Sequence, residues 1–265
     1  MGLKVPQASP GNLFFGSGRF PVMVMAHRGF SGAAPENTLS AFKKAIDIGA
    51  DVIELDVRLS KDKYLVVFHD DTLERTTKRI GRVADLTLQE LKGLDAGGWF
   101  GPSFAGERIP TLTEVFELAR GRVLLNIELK KGDRDPYSII ELADRALDEI
   151  KKAKMEDRIL FSSFDATAVA RIIEKNGRIP AALISRNPWT SPFDVMEGHR
   201  FSVLNCRMDT LNPVNLKRAR QEGVRIGVWT PNTEEEMDRF VSMEVDAILT
   251  NHPDRLIQLL QKKYR

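Results

Sequence analysis

Cysteine is almost absent. Cys206 is the only one in 265 residues, so no disulfide within the chain can staple the fold, and its place in the apolar run from Phe201 to Cys206 points to a buried, inert thiol. Long apolar runs are missing as well: no stretch reaches the roughly 18 residues needed to cross a bilayer. The first twenty residues, MGLKVPQASPGNLFFGSGRF, lack the apolar centre of a secretory signal and carry prolines and glycines that would break one. They read as a loose N-terminal arm, residues 1–20. Gly2 would suit myristoylation, but Pro6 stands where Ser or Thr is required. No stable membrane anchor is expected, and the lean is toward a cytoplasmic setting. Net charge is lacking too. Lys plus Arg number 39 against 37 Asp plus Glu, a net +2, which gives no global field to draw in nucleic acid or an anionic membrane. An anion has to be bound locally, and nucleic acid is not an expected partner.

What is present is a soluble, globular composition, 42% hydrophobic and 29% charged, in a chain long enough for one large domain or two ordinary ones. Short β-branched runs predict eight strands, over 22–26, 51–57, 123–129, 158–163, 180–185, 202–206, 224–229 and 246–250. Helical patterns follow most of them, over 38–49, 111–120, 136–153, 165–176, 213–222, 233–243 and 253–264, with a weak candidate after 185 where Pro188 and Pro192 intrude. Thr111 and Glu114 have capping-box spacing, and Pro253 stands at a helix entrance. Asn37 or Thr38 would cap the first helix. Eight such units predict an α/β fold, a closed (β/α)₈ TIM barrel over residues 21–265. An open doubly wound sheet is the alternative, but it wants a Gly-rich phosphate loop at the first turn, and none is there.

Two features break the repeat. Tyr64-Leu65-Val66-Val67-Phe68 follows the second strand too closely for a parallel crossover, so it forms a hairpin. Residues 71–110 then make a long insertion, rich in Gly and holding one short helix near Thr87-Leu88-Gln89-Glu90, which reads as a lid, a substrate wall or a packed surface decoration.

The strand Val52-Ile53-Glu54-Leu55-Asp56-Val57 is apolar except at two positions that face the same way, and Asn126, Glu128 and Lys130 repeat the arrangement further on. In a barrel sheathed by helices, these polar faces point into the mouth. Two carboxylates about 4 Å apart repel by roughly 4 kcal/mol at an effective dielectric near 20. Protonation, an internal pair with Lys130 or Arg58, or a bound cation would relieve Glu54, Asp56 and Glu128; an oxygen donor set favours one hard divalent ion, Mg²⁺ or Ca²⁺. If residue i of the hairpin pairs with residue 123 − i, as a loop of two or four residues at Lys61–Lys63 allows, His69 stands across from Glu54. A loop of three would set it across from Leu55. The chemistry selects the first register. His27, at the end of the first strand, lies beside the second in any barrel. Of the other histidines, His199 and His252 have no comparable setting.

His27-Arg28-Gly29, Pro35-Glu36-Asn37-Thr38, Glu54-x-Asp56, His69-Asp70, Arg75-Thr76-Thr77, Gly98-Trp99-Phe100, Ile109-Pro110-Thr111-Leu112 and Glu128-Leu129-Lys130 together resemble, in order, the glycerophosphodiester phosphodiesterase family, over residues 22–256. The resemblance implies a barrel that uses a divalent metal to hydrolyse small glycerophosphodiesters to glycerol 3-phosphate and an alcohol. Glu54, Asp56 and Glu128 then correspond to metal ligands, His27 and His69 to the general acid and base, in either order, and Arg28 and Lys130 to phosphate contacts. Trp229 matches an aromatic near the glycerol end of the pocket, with core packing as its rival reading. The insertion matches one that caps the site. Lys63 departs from the family in replacing a hairpin glycine, and Asn251 stands where Asp is frequent. Gly29 is expected to let the backbone approach the ligand closely. The alternatives are a phospholipase D-like or C-like enzyme acting on lipid, a metal-dependent isomerase or lyase, and a non-catalytic phosphoglycerol-binding module.

Overall fold

The β-branched runs pair in parallel, each with the next barrel strand along the chain, until the last returns to the first. The computed structural model describes residues 14, 18–132, 138–186 and 201–264. Its strands are β1 (Met23–His27), β2 (Val52–Leu59), β3 (Leu65–Val67), β4 (Leu124–Leu129), β5 (Ile159–Ser163), β6 (Ala181–Ser185), β7 (Val203–Arg207), β8 (Arg225–Trp229) and β9 (Ala247–Thr250). All but β3 run parallel, and β1 pairs with both β2 and β9, which closes the expected eight-stranded barrel and excludes the open sheet. The helices are α1 (Leu39–Asp47), α2 (Glu74–Thr77), α3 (Leu88–Lys92), α4 (Leu112–Ala119), α5 (Ser138–Ala153), α6 (Ala166–Lys175), α7 (Pro213–Gln221), α8 (Glu234–Ser242) and α9 (Pro253–Lys263). The weak helix candidate after 185 and His199 lie outside the described residues.

Alternation along the strands splits the core in two. Outward residues such as Ile53, Leu55, Ile127, Phe161 and Val228 pack beneath the helices. Inward residues Met23, Met25, Val52, Leu124, Leu160 and Val203 fill the lower barrel as a separate apolar plug. Most of the N-terminal arm lies outside the described residues, but Phe14 is fully buried in this plug. Above the plug the inward positions turn polar: Glu54, Asp56, Asn126, Glu128, Ser162 and Asn205 are all buried there. Chemistry is thereby confined to the C-terminal ends of the strands, where barrels of this kind build their sites. Cys206 points away from it, and burial pushes its thiol up to about 12.

The hairpin differs from the expected register. Leu59 pairs with Leu65, Arg58 with Val66 and Val57 with Val67, so residue i meets residue 124 − i across a three-residue loop, Lys61–Lys63. The cause is local. Lys63 adopts the left-handed conformation, φ 68°, which ends a three-residue hairpin loop, even though a non-glycine residue bears about 1–2 kcal/mol of strain there. In this register the residue facing Asp56 is Phe68, whose N–H donates to the Asp56 carbonyl at 2.9 Å. Phe68 and Val66 then join Leu73, Val83, Leu91 and Ile109 in a small core of their own, on which the 71–110 insertion is built. Its short helix α3 carries the Thr87–Glu90 capping box, and α4 the one at Thr111 and Glu114.

Gly29 is required by packing. It has φ +80°, and an ideal Cβ there would lie 2.8 Å from both the carbonyl carbon and the Cβ of Ala41. The missing side chain makes room for helix α1. Of the two capping candidates, Thr38 accepts from the Ala41 N–H, while Asn37 turns into the barrel.

Candidate active site

Register places the charged groups. His27 is the pairing partner of Glu54, and Asp56 of Glu128, so the ends of β1, β2 and β4 set these side chains next to one another. Ligand oxygens of Glu54, Asp56 and Glu128 lie within 4.8 Å of each other. They sit at the base of a cleft of about 670 Å³ lined by His27, Arg28, Glu54, His69, Glu128, Lys130 and Trp229; Asp56, only 1% exposed, lies just behind its wall. All eight sequence-selected residues are therefore in one place. Trp229 lines the cleft and also packs against the apolar plug below it: its ring lies edge-on to Phe164, centroids 5.8 Å apart, and its Nε1–H donates to the Asn205 carbonyl at 3.2 Å.

Lys130 satisfies part of the acidic cluster. Its Nζ lies 2.6 Å from Glu128 Oε1 and 3.2 Å from Asp56 Oδ1. Arg28 adds its Nε 3.4 Å from Asp56 Oδ2, and its backbone N–H donates to Glu54 Oε2 at 2.8 Å. Arg58, the other candidate for an internal pair, lines the same cleft but pairs with Asp71, at 3.3 Å. With all three carboxylates ionised, two cations leave one negative charge uncompensated, and Arg28 is shared with Glu36. The electrostatics follow. Burial pushes Asp56 up, but Lys130 and Arg28 override it and hold its carboxyl well below the usual range. Burial, then the charges of Asp56 and Glu128, drives Glu54 well above that range. Glu128 is also raised by burial, against the pull of Lys130. Glu54 Oε1 is buried with no hydrogen-bond partner among the described residues, and Asp56 Oδ1 has the Lys130 ammonium beside it but no hydrogen bond. Buried carboxylate oxygens with unused acceptor capacity, within 4.8 Å of one another, fit a hard divalent cation.

Each histidine is held by its Nδ1. His27 Nδ1 is 2.7 Å from Asn251 Oδ1, and His69 Nδ1 is 2.6 Å from Asp70 Oδ1. Both rings thus keep Nε2 as the free nitrogen; His27 Nε2 lies 4.0 Å from Glu54 Oε2. Burial, then the Arg28 charge, pushes His27 down to about 4, and burial lowers His69 as well. His69 does not reach the site by ladder pairing. The chain leaves β3 after Val67, and the Arg58 guanidinium captures the His69 carbonyl.

Sequence reasoning missed several supporting residues. Asn37 clasps Asp56 from both ends, its Nδ2 donating to Asp56 Oδ2 at 2.7 Å and its Oδ1 accepting from the Asp56 N–H at 3.2 Å. Asn251 looked like a mere departure from the family pattern. Ser162 and Asn205 line the cleft floor beside Asn126, which the strand alternation had already placed on this face; the side-chain polar atoms of all three are buried and unpartnered among the described residues. The available signal was the polar residue at an inward strand position, the same alternation that exposed Glu54.

Residues 27–255 match the model of the glycerophosphoryl diester phosphodiesterase family. The chain belongs to this family. A family relative from Caldanaerobacter subterraneus subsp. tengcongensis, a glycerophosphodiester phosphodiesterase, is 40% identical over 241 residues, covering 91% of this chain and 98% of that protein. Among solved structures, an Oleispira antarctica phosphodiesterase in complex with the product sn-glycerol-3-phosphate aligns with TM-score 0.86 and 30% identity, over 90% of this chain and 96% of that one. The glycerophosphodiester phosphodiesterase of Thermotoga maritima aligns with TM-score 0.73 and 33% identity, over 90% and 98%. As a member of the family, the chain is a phosphoric diester hydrolase.

Proposed function

We propose that this chain hydrolyses small glycerophosphodiesters to glycerol 3-phosphate and an alcohol, residues 21–265 acting as one catalytic barrel with 71–110 as its insertion. The observation that carries the reading is the convergence of Glu54, Asp56 and Glu128 beneath a cleft flanked by two imidazoles and two cations. The three carboxylates would hold one Mg²⁺ or Ca²⁺; when bound, such an ion neutralises phosphate charge and lowers the pKa of a coordinated hydroxyl.

A phosphodiester is anionic and repels nucleophiles, so its cleavage calls for charge neutralisation, positioning and a protonated leaving group. Arg28 and Lys130 present donors for the phosphate oxygens. One imidazole removes a proton from the attacking water, or from the glycerol 2-hydroxyl on the way to a cyclic phosphate that water then opens, and the other delivers a proton to the departing alcohol oxygen, each through Nε2, since both Nδ1 atoms are engaged. Trp229 and Phe164 give the cleft an apolar wall for the carbon skeleton. Among the described residues no helix is long and apolar enough to cross a membrane.

The test is release of glycerol 3-phosphate from glycerophosphocholine, glycerophosphoethanolamine and glycerophosphoglycerol, with chelation and single-metal add-back. Release should vanish with chelator and return with Mg²⁺ or Ca²⁺, and His27→Ala and His69→Ala should each lower turnover by about 10²–10⁴. Normal turnover in both variants, or a cyclic phosphate formed only from a lipid substrate, would replace this reading.

A further inference from the structure

The insertion carries Asp71 and Thr72 to the cleft wall, and behind that wall a guanidinium that contacts neither the acidic cluster nor the histidines directly. Arg75, on α2, is half exposed. Its Nη1 and Nη2 donate to the two carboxylate oxygens of Glu36 at 2.9 and 2.7 Å, a bidentate pair, and its Nε donates to Asp70 Oδ2 at 2.5 Å. Beyond each acid stands a group of the cleft. Asp70 Oδ1 meets His69 Nδ1 at 2.6 Å, and Glu36 Oε1 accepts from Arg28 Nη1 at 2.8 Å. Arg28 follows β1 and His69 follows β3, so one guanidinium bridges loops more than forty positions apart in sequence.

We propose that Arg75 is a positioning residue, fixing the tautomer and ring plane of His69 through Asp70 and the reach of Arg28 through Glu36. The inference rests on the two-histidine reading above. A carboxylate against Nδ1 keeps the proton there and leaves Nε2 for chemistry. Asp70 on a loop could rotate away by itself; the planar fork of Arg75 fixes its orientation through donors of set direction, whereas an ammonium is a point charge with freely rotating donors. Exposed ion pairs add little to stability, so the network is of small value as a staple. Its geometry matters more, because a misplacement near 1 Å can reduce rate about 10²-fold.

The experiment compares Arg75→Ala, Arg75→Lys, Asp70→Asn and Glu36→Gln, with steady-state kinetics and ¹⁵N NMR of the His69 ring in the neutral form. Arg75→Ala should lose kcat by about 10- to 100-fold and raise KM. Asp70→Asn should reproduce the kcat loss and Glu36→Gln the KM rise, while the Arg75→Ala, Asp70→Asn double variant should lose no more kcat than the worse single one. In the parent protein His69 should carry its proton on Nδ1, and in Arg75→Ala the two tautomers should mix. A folded Arg75→Ala with parental kcat, KM and tautomer would overturn the proposal; should that variant not fold, Arg75→Lys with all three parental values would do the same. Failure of the underlying reading is separate: His69→Ala would then retain turnover, whatever Arg75 does to the tautomer.

Discussion

The Arg58 guanidinium holds the His69 carbonyl with two hydrogen bonds, from Nε at 3.0 Å and Nη2 at 2.8 Å. The ladder register would aim position 69 at Leu55. Arg58 instead anchors the chain where it leaves β3, and the imidazole turns toward the acids. Arg58→Met keeps the bulk of the stem and removes the donors. It should lower kcat about 10-fold or more while leaving divalent-ion affinity near parental, and cost roughly 2–3 kcal/mol of stability through lost bonds to a charged group. Kinetics and urea unfolding check both, and an unchanged kcat would show that His69 is held by something else.

Metal affinity should rise with pH. Glu54 and Glu128 are raised, first by burial, so each has a proton to lose before it can ligate. In the free protein, a carboxyl whose folded pKa lies above its unfolded one contributes stability in full below the unfolded pKa, and that contribution is lost as pH rises through the folded one. An ion bound to the deprotonated cluster restores it. Mg²⁺ or Ca²⁺ should raise the melting temperature more at pH 8 than at pH 5; at pH 8 a hundredfold excess over Kd stabilises by about 2.7 kcal/mol. Calorimetry in two buffers should count released protons. A larger shift at pH 5 would contradict the assignment.

Asn251→Asp should raise the pKa of His27. The present partner of Nδ1 is a neutral amide oxygen at 2.7 Å, and burial holds the ring down to about 4. A carboxylate in the same place favours the imidazolium by about one to three units. For a histidine with a depressed folded pKa, stability is complete above the unfolded value and is lost as pH falls toward the folded one, so the substitution should also flatten the loss of stability between pH 6.5 and 4. NMR titration of His27 reads the shift directly, and an unmoved midpoint would show that Asn251 does not set it.

Gly29→Ala should be costly. The new methyl would meet the Ala41 backbone at 2.8 Å in a residue with φ +80°, so both backbone strain and overpacking apply. A loss of about 3 kcal/mol is expected, a fall in melting temperature near 10 °C for a chain of this size. A melting point within 2 °C of the parent would mean that α1 can retreat.

Much of this protein could be read from residue order alone, because the signals involved are local. The alternation of β-branched runs with 3.6-residue patterns is enough for eight strands and their helices, and α4 starts at the Thr111 capping box as its spacing dictates. The period of two along β2 and β4 determined that Glu54, Asp56 and Glu128 share the inner face, since side chains two apart on a strand cannot point elsewhere. The family motifs marked His27, His69, Arg28 and Lys130.

Tertiary structure decided the rest. Whether His69 faces the acids depended on a one-residue difference in loop length, set by the left-handed Lys63 and corrected by Arg58 from another strand. That Asn37 holds an acid, that Gly29 makes room for a helix, and that Arg75 links Glu36 to Asp70 all follow from contacts between separate segments of the chain. Periodicity determines which face a side chain takes, whereas the partner it meets is determined by how the barrel closes.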